Sequence, residues 1–322
     1  MFRKRSSVLV SAAIALATLA SSAASAQRNR DRNRDRDRER EVEREQQEAQ
    51  SRVDTTFAFS RTGVVDLTQV SGDIVVTAWD KPEARVRAYA ERGRVRSSLS
   101  SSRLTLGIES IRGRVGDSRF EVTVPFGVRV IAKSRSGDVS VRGTRGPVNA
   151  ESTSGDVHVT EATDRIDIES ISGDVRASQL NGEVHASSVS GTIEIQGVTG
   201  DIRAETTSGD VSLLGATSKT VVASTVSGDV EYDGNVDANG RYEFHSHSGG
   251  VRLELPESTS AQFSIETFSG SLDTEFTLTL QPGQRTTSRP RRYEFTVGSG
   301  SARVTAESFS GDIVLVRRAR SR

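Results

Sequence analysis

The sequence predicts an all-β protein: a right-handed parallel β-solenoid of two sheets, about 18 residues per coil, with irregular β caps. Three observations carry this. A Ser-Gly pair recurs at a fixed spacing, aliphatic residues follow a nine-residue beat between those pairs, and the composition is lean. Only 34% of the 322 residues are hydrophobic and 5% aromatic, too little for one thick core but suited to a thin one built many times over.

Residues 1–26 read as a signal peptide, with a basic start at Arg3, Lys4 and Arg5, an apolar run from Val8 to Ala20 and a small-residue end at Ala24-Ser25-Ala26. The apolar run is short for a membrane span, so the expectation is an exported chain, periplasmic or at the cell surface, with no transmembrane segment after cleavage. Residues 27–52 alternate Arg with Asp, Asn and Glu; eight Arg meet eight acids between Gln27 and Gln50, with only Val42 and Ala49 apolar. Such a stretch cannot form a core and reads as a disordered charged tether. The alternative is an anchor, since Arg28 to Arg34 is locally positive.

Residues 53–135 read as an N-terminal β cap and first coils, with the irregular strand-rich stretch from Arg85 to Val124 as the capping part. Residues 136–270 form the regular repeat. Glycines follow serines at Gly137, Gly155, Gly173, Gly191 and Gly209, always 18 apart, and the step then loosens through Gly228, Gly249 and Gly270. Within each unit apolar residues take positions 1, 3 and 6 of a nonapeptide: Val157, Val159, Ala162, then Ile166, Ile168, Ile171. Alternation followed by a Gly, Asn or Asp turn is a strand signal, and no helical stripe survives that spacing.

Two strands and two turns per unit are satisfied when each coil stacks on the last. Val139, Val157, Val175, Ile193, Val211 and Val230 then form one internal column, and Val148, Ile166, Val184, Ile202 and Val221 its counterpart. The left-handed hexapeptide helix needs a six-residue period that is missing here. An antiparallel meander of two-strand repeats is the competing geometry. Residues 271–316 supply C-terminal coils and a cap, and residues 317–322 are a basic tail; toward the C-terminal coils Tyr242, Phe244, Phe263, Phe268 and Phe309 occupy repeat slots and predict a wider core.

Composition excludes several chemistries. The chain has no Cys, hence no disulfide, thiolate or Cys-bound zinc. Its 43 basic and 43 acidic residues cancel, and removal of the three N-terminal charges leaves −3, so nucleic acid is not an expected partner. Asp138, Asp156, Asp174, Asp210 and Asp229 stack along one edge, but each immediately precedes the buried aliphatic, unlike the calcium-binding β-roll. Turn chemistry is the expected role of the Ser-Gly-Asp unit, with Gly137, Gly155, Gly173, Gly191, Gly209 and Gly228 as structural turn residues. His158 and His185 fall on opposite faces, so no metal or other cofactor is expected.

No catalytic residue is assigned. Glu151 and Glu169, one coil apart, are the carboxylates that a glycan-cleaving reading would use, but the chain has a single tryptophan, Trp79, to build a sugar cleft. Arg285, Arg289, Arg291 and Arg292 form the most distinctive basic cluster and are candidate contacts for an anionic ligand; the alternative is a solvated excursion between strands.

The segment Phe120-Glu-Val-Thr-Val-Pro125, the run from Val128 to Asp138, the serial Ser-Gly-Asp-Val units and the closing Ser308-Phe-Ser-Gly-Asp-Ile313 resemble a bacterial putative-adhesin family of β-strand-repeat proteins, a domain of unknown function. The resemblance spans about residues 55–316. It implies an extracytoplasmic β-solenoid and carries over no catalytic residues. The expected function is an exported, non-catalytic, adhesin-like binding or structural module of the cell envelope, contacting an envelope polysaccharide or another envelope protein. The alternative is a carbohydrate-active enzyme, a lyase or hydrolase, of the parallel β-helix type.

Overall fold

The computed structural model describes residues 52–110, 116–277, 279–280 and 290–318, so the expected signal peptide, nearly all of the expected tether, Arg285 and Arg289 lie outside the described residues. What is described is β structure. The strand Val157–Thr160 pairs in parallel with Val139–Arg142 on one side and with the start of Val175–Ser190 on the other. Val157 therefore stands in register between Val139 and Val175, 18 residues away in each direction. The antiparallel meander is thus not the arrangement of the regular repeat.

Pairing runs in two ladders. One continues through Ile193, Val211, Val230 and Val251; the other joins Val130, Val148, Ile166, Val184, Ile202, Val221 and Tyr242. Their inward side chains form one continuous buried cluster. Each coil adds one strand to each ladder, with its inter-coil hydrogen bonds and buried aliphatic contacts, so stability accumulates from coil to coil.

At both ends, stacking order departs from chain order. Val64–Trp79, the first coil in sequence, lies between the strands Arg103–Glu109 and Ser118–Pro125 on one side and Arg129–Ser136 and Val139–Arg142 on the other. Likewise the final strands, Ala302–Ser308 and Ile313–Arg318, insert between the coil of Tyr242 and Val251 and that of Ala261 and Leu272. Antiparallel strands close the ends. Arg52–Ala58 pairs with Glu83–Ala90, which pairs with Ser118–Pro125, while Arg94–Leu99 pairs with Arg103–Glu109. At the other end Arg291–Val297 lies antiparallel on Ala261–Thr267. Such strands end a parallel stack without offering it a further parallel partner.

The core does widen toward the C-terminal coils. Tyr232, Tyr242 and Phe244 are fully buried, and Phe263 stacks on Phe295 with centroids 5.0 Å apart. The tyrosine hydroxyls reach the corner widened by the longer coils: Tyr242 Oη donates to the Ser218 carbonyl at 2.6 Å and Tyr232 Oη to that of Asn235 at 2.9 Å. Burial pushes both phenols above their ordinary pKa. Phe268 and Phe309, expected in the core, are instead exposed.

The reason lies in strand parity. In the first nonapeptide of the 18-residue coils the sixth residue is buried, as Ala162, Leu180, Val198 and Ala216 are. Just before each of these, Glu161, Gln179, Gly197 and Gly215 adopt left-handed backbone, with φ between 52° and 65°. A left-handed residue acts as a bulge and resets which face the next side chain takes. No such residue precedes the sixth position of the second nonapeptide, so plain alternation carries Ser170 inward after Ile168 and turns Ile171 outward.

Candidate binding surface

The Ser-Gly corner is a line of close backbone approaches. A Cβ on Gly155, Gly173, Gly191 or Gly209 would collide with the carbonyl of the glycine one coil before it, so only glycine fits. Gly137, Gly155, Gly209 and Gly228 also have φ between 134° and 152°. Gly173 and Gly191 do not; at those two the requirement is the close approach alone.

Two side chains per coil fasten the corner. The hydroxyl two residues before the Ser-Gly pair points inward and donates to the carbonyl of the preceding coil's glycine: Ser152 to Gly137 and Ser170 to Gly155 at 3.1 Å, Thr225 to Gly209 and Ser246 to Gly228 at 2.8 Å. The Asp after the glycine then accepts from the next coil. Asp174 N–H donates to Asp156 Oδ1 at 2.9 Å, Thr192 N–H to Asp174 at 3.0 Å and Gly250 N–H to Asp229 at 2.7 Å. At the last such corner the amide and hydroxyl of Ser271 hold the Asp312 carboxyl below its ordinary pKa. The Asp column is therefore a hydrogen-bond ladder between coils.

Outside this staple runs an exposed file made by the residue before each Ser-Gly pair. In stacking order it reads Ile171, Val189, Thr207, Val226, His247, Phe309, Phe268. The Ile and Val members are about half exposed (49–51%), Phe309 46% and Phe268 38%. His247 stacks on Phe309 and Phe309 on Phe268, each pair with centroids 4.8 Å apart and nearly parallel planes. At about 4.8 Å per coil the file extends roughly 29 Å.

Beside the file lie two shallow depressions floored by buried hydroxyls. One, about 420 Å³, is bordered by Lys133, Glu151, Glu169, Ile171 and Val189. The other, about 350 Å³, is bordered by His245, His247, Glu307, Phe309, Glu266 and Phe268. Lys133 Nζ donates to both oxygens of Glu151 at 2.7 and 2.8 Å, and His245 Nδ1 lies 3.3 Å from Glu307. At the corner that follows the file stand the carboxylates Asp174, Asp210, Asp229 and Asp312, of which Asp174 is paired with Arg176 at 2.7 Å.

Of the basic cluster, Arg291 donates to the Gly270 carbonyl at 2.9 Å, and Arg292 Nε donates to Glu266 at 2.9 Å, which raises the guanidinium's pKa. Glu151 and Glu169 are register neighbours, and no aromatic side chain lines their depression. His158 stands beside Arg176 and Ser140, and partial burial, with Arg142 and Arg176 nearby, lowers its pKa. Among the described residues no three His, Asp or Glu side chains gather as a metal site, and no helix is long and apolar enough to cross a membrane.

The exposed file is what reading the sequence missed. Its signal was present: the slot holding Ser152, Ser170, Ser188, Thr206, Thr225 and Ser246 is always Ser or Thr, a residue able to face inward only with a partner. Placing that slot inward turns the next residue outward.

A family model described as Toastrack DUF4097 matches residues 128–203 and 184–316, more than half of the chain. Comparison with curated proteins found no match. Among solved structures, a putative cell adhesion protein from Clostridium sporogenes ATCC 15579 is 9% identical with a TM-score of 0.24, over 83% of this chain and 100% of that one. A putative adhesin from Bacteroides fragilis NCTC 9343 is 10% identical with a TM-score of 0.35, over 82% and 97%.

Proposed function

The chain belongs to the Toastrack DUF4097 family, and on that footing we propose that it is an exported, non-catalytic binding or structural module of the cell envelope, adhesin-like in its mode of contact. The winding is taken as right-handed with two sheets, following the crossover preference of parallel strands. The charged segment 27–52 serves as its tether once the signal peptide is removed.

The observation that supports this reading is the exposed file from Ile171 to Phe268 with the two open depressions beside it. Apolar side chains held outward on a rigid stack over several coils favour contact distributed along a line. A hydrolase or lyase requires acid and base aimed at one bond within a cleft. Here Glu151 is held by Lys133 in an open depression.

A glycan array and pull-down from envelope extract, run beside a reducing-end assay on envelope polysaccharides, test the proposal. Binding without release of reducing ends is the expected result. Turnover that survives purification and is abolished by Glu151→Gln or Glu169→Gln would replace it with the enzymatic reading.

A further inference from the structure

We infer that the corner file from Ile171 to Phe268 is the docking line for a basic amphipathic helix of a partner protein, an inference that rests on the binding role proposed above. The first argument is area. At the observed exposures the file offers on the order of 500 Å² of apolar surface, the size of a functional patch on a monomer but short of the ~800 Å² per side of a stable protein–protein interface. A narrow occupant is required, so a second copy meeting edge to edge is disfavoured.

Charge points the same way. Glu169, Asp210, Asp229 and Asp312 border the file and, among the described residues, have no Lys or Arg within ion-pair distance; of the other bordering acids, Asp174, Glu205 and Glu266 are paired with Arg176, Arg203 and Arg292, and Glu307 faces His245. Two copies related by a twofold axis would bring acidic borders together, and an anionic lipid surface would be repelled. A cationic partner gains on both flanks.

Aromatic geometry argues against sugar as the occupant. Rings that hold sugars present open faces, whereas the faces within the file are taken by each other: His247 on Phe309, Phe309 on Phe268. Ring edges point outward, a surface for aliphatic side chains.

Spacing then selects helix over strand. Coils repeat every ~4.8 Å, while a strand laid along the file brings same-face side chains every ~6.8 Å and loses register within about two coils. A helix brings its apolar stripe round every ~5.4 Å, so it drifts by only ~0.6 Å per coil against ~2 Å for the strand and keeps its stripe near the file over several coils. A file of roughly 29 Å accommodates a helix of about five turns, with Lys or Arg flanking the stripe.

The test is fluorescence anisotropy of a labelled 18-residue Leu/Lys peptide with one helical Leu stripe, titrated with the full mature chain. Controls are a scrambled peptide of the same composition and a Leu/Glu counterpart. Expected is binding to the striped Leu/Lys peptide that weakens with salt and exceeds the scrambled control at least tenfold. Phe268→Ser with Phe309→Ser should weaken it at least tenfold. Asp210→Asn with Asp229→Asn, which keeps the oxygen that accepts each backbone N–H, should weaken it several-fold and flatten the salt dependence. Equal affinity for the scrambled peptide, no binding, or indifference to the Phe pair with the thermal midpoint unchanged would overturn the inference. Glycan or extract binding without binding of the striped peptide would leave the broader binding role standing while removing this one; failure of peptide, glycan and extract alike removes both.

Discussion

The carbonyl oxygen of Gly155 stands where a Cβ on Gly173 would have to go. This relation repeats from coil to coil and explains why the corner tolerates glycine alone even where φ is unremarkable. Stacked coils approach so closely here that backbone meets backbone, and the neighbouring Ser and Asp fasten what the glycine allows.

Gly173→Ala should therefore destabilise the protein by about 3 kcal/mol, because the clashing atom is backbone on a strand fixed from both sides. Urea unfolding monitored by circular dichroism measures it; a loss below about 0.5 kcal/mol would mean that the coils are not held so close.

The hydroxyl clasp predicts a contrast two residues apart. Ser170→Ala removes a buried donor to the Gly155 carbonyl and should cost about 1 kcal/mol or more, since that carbonyl loses its side-chain partner. Ser172→Ala, at an exposed position, should stay within about 0.5 kcal/mol. Equal effects would show that the Ser170 hydroxyl contributes no more than an exposed serine and would deny the clasp.

Gln179 holds left-handed backbone with φ 56°, while Gly197 and Gly215 hold the same slot at 65°. Gln179→Gly should raise stability by about 0.5–1 kcal/mol, relieving a conformation that L residues resist. A lower thermal midpoint in differential scanning calorimetry would mean that this residue is not left-handed in solution.

Much of the architecture was legible in the residues and part was not, for identifiable reasons. The columns of Val139, Val157 and Val175 were readable because an 18-residue period leaves few ways to satisfy identical strands. Ile171 and Phe309 were read as core because apolar identity was taken to mean burial. Their orientation depends on whether a left-handed residue precedes them, and Glu161 and Gln179 disguise that slot, which Gly143, Gly197 and Gly215 mark openly. The interleaving of Val64–Trp79 and Ile313–Arg318 left no trace, because every coil carries the same pattern and nothing local specifies which neighbour it joins. The basic cluster was visible as composition, yet the ion pair between Arg292 and Glu266 depends on an antiparallel strand that composition does not encode.

Acid should loosen the last corner. Hydrogen bonds from Ser271 hold the Asp312 pKa below its unfolded value, so their contribution is complete above pH ~4 and is lost as pH falls through the lower folded value. An NMR titration should place the Asp312 midpoint below that of an unstructured Asp, and Asp312→Asn should flatten the acid limb of the thermal midpoint; an Asp312 midpoint no lower than the unstructured one would deny the bond.

The exposed file should matter little to folding. Phe309→Ser, with the ring about half exposed, should cost about 1 kcal/mol or less, whereas Phe263→Ala in the core should cost about 3–5 kcal/mol. Comparable losses in chemical denaturation would place Phe309 inside after all.

In-register parallel stacking can be tested most directly by disulfide trapping, which this cysteine-free chain makes clean. His158 and Arg176 face outward on adjacent coils in register, so Cys introduced at both should lie within bridging distance. Rapid, near-complete intramolecular oxidation of His158→Cys/Arg176→Cys is the predicted result, with none for His158→Cys/His185→Cys on the two different ladders. Efficient trapping of the second pair and none of the first would contradict the fold and everything placed upon it.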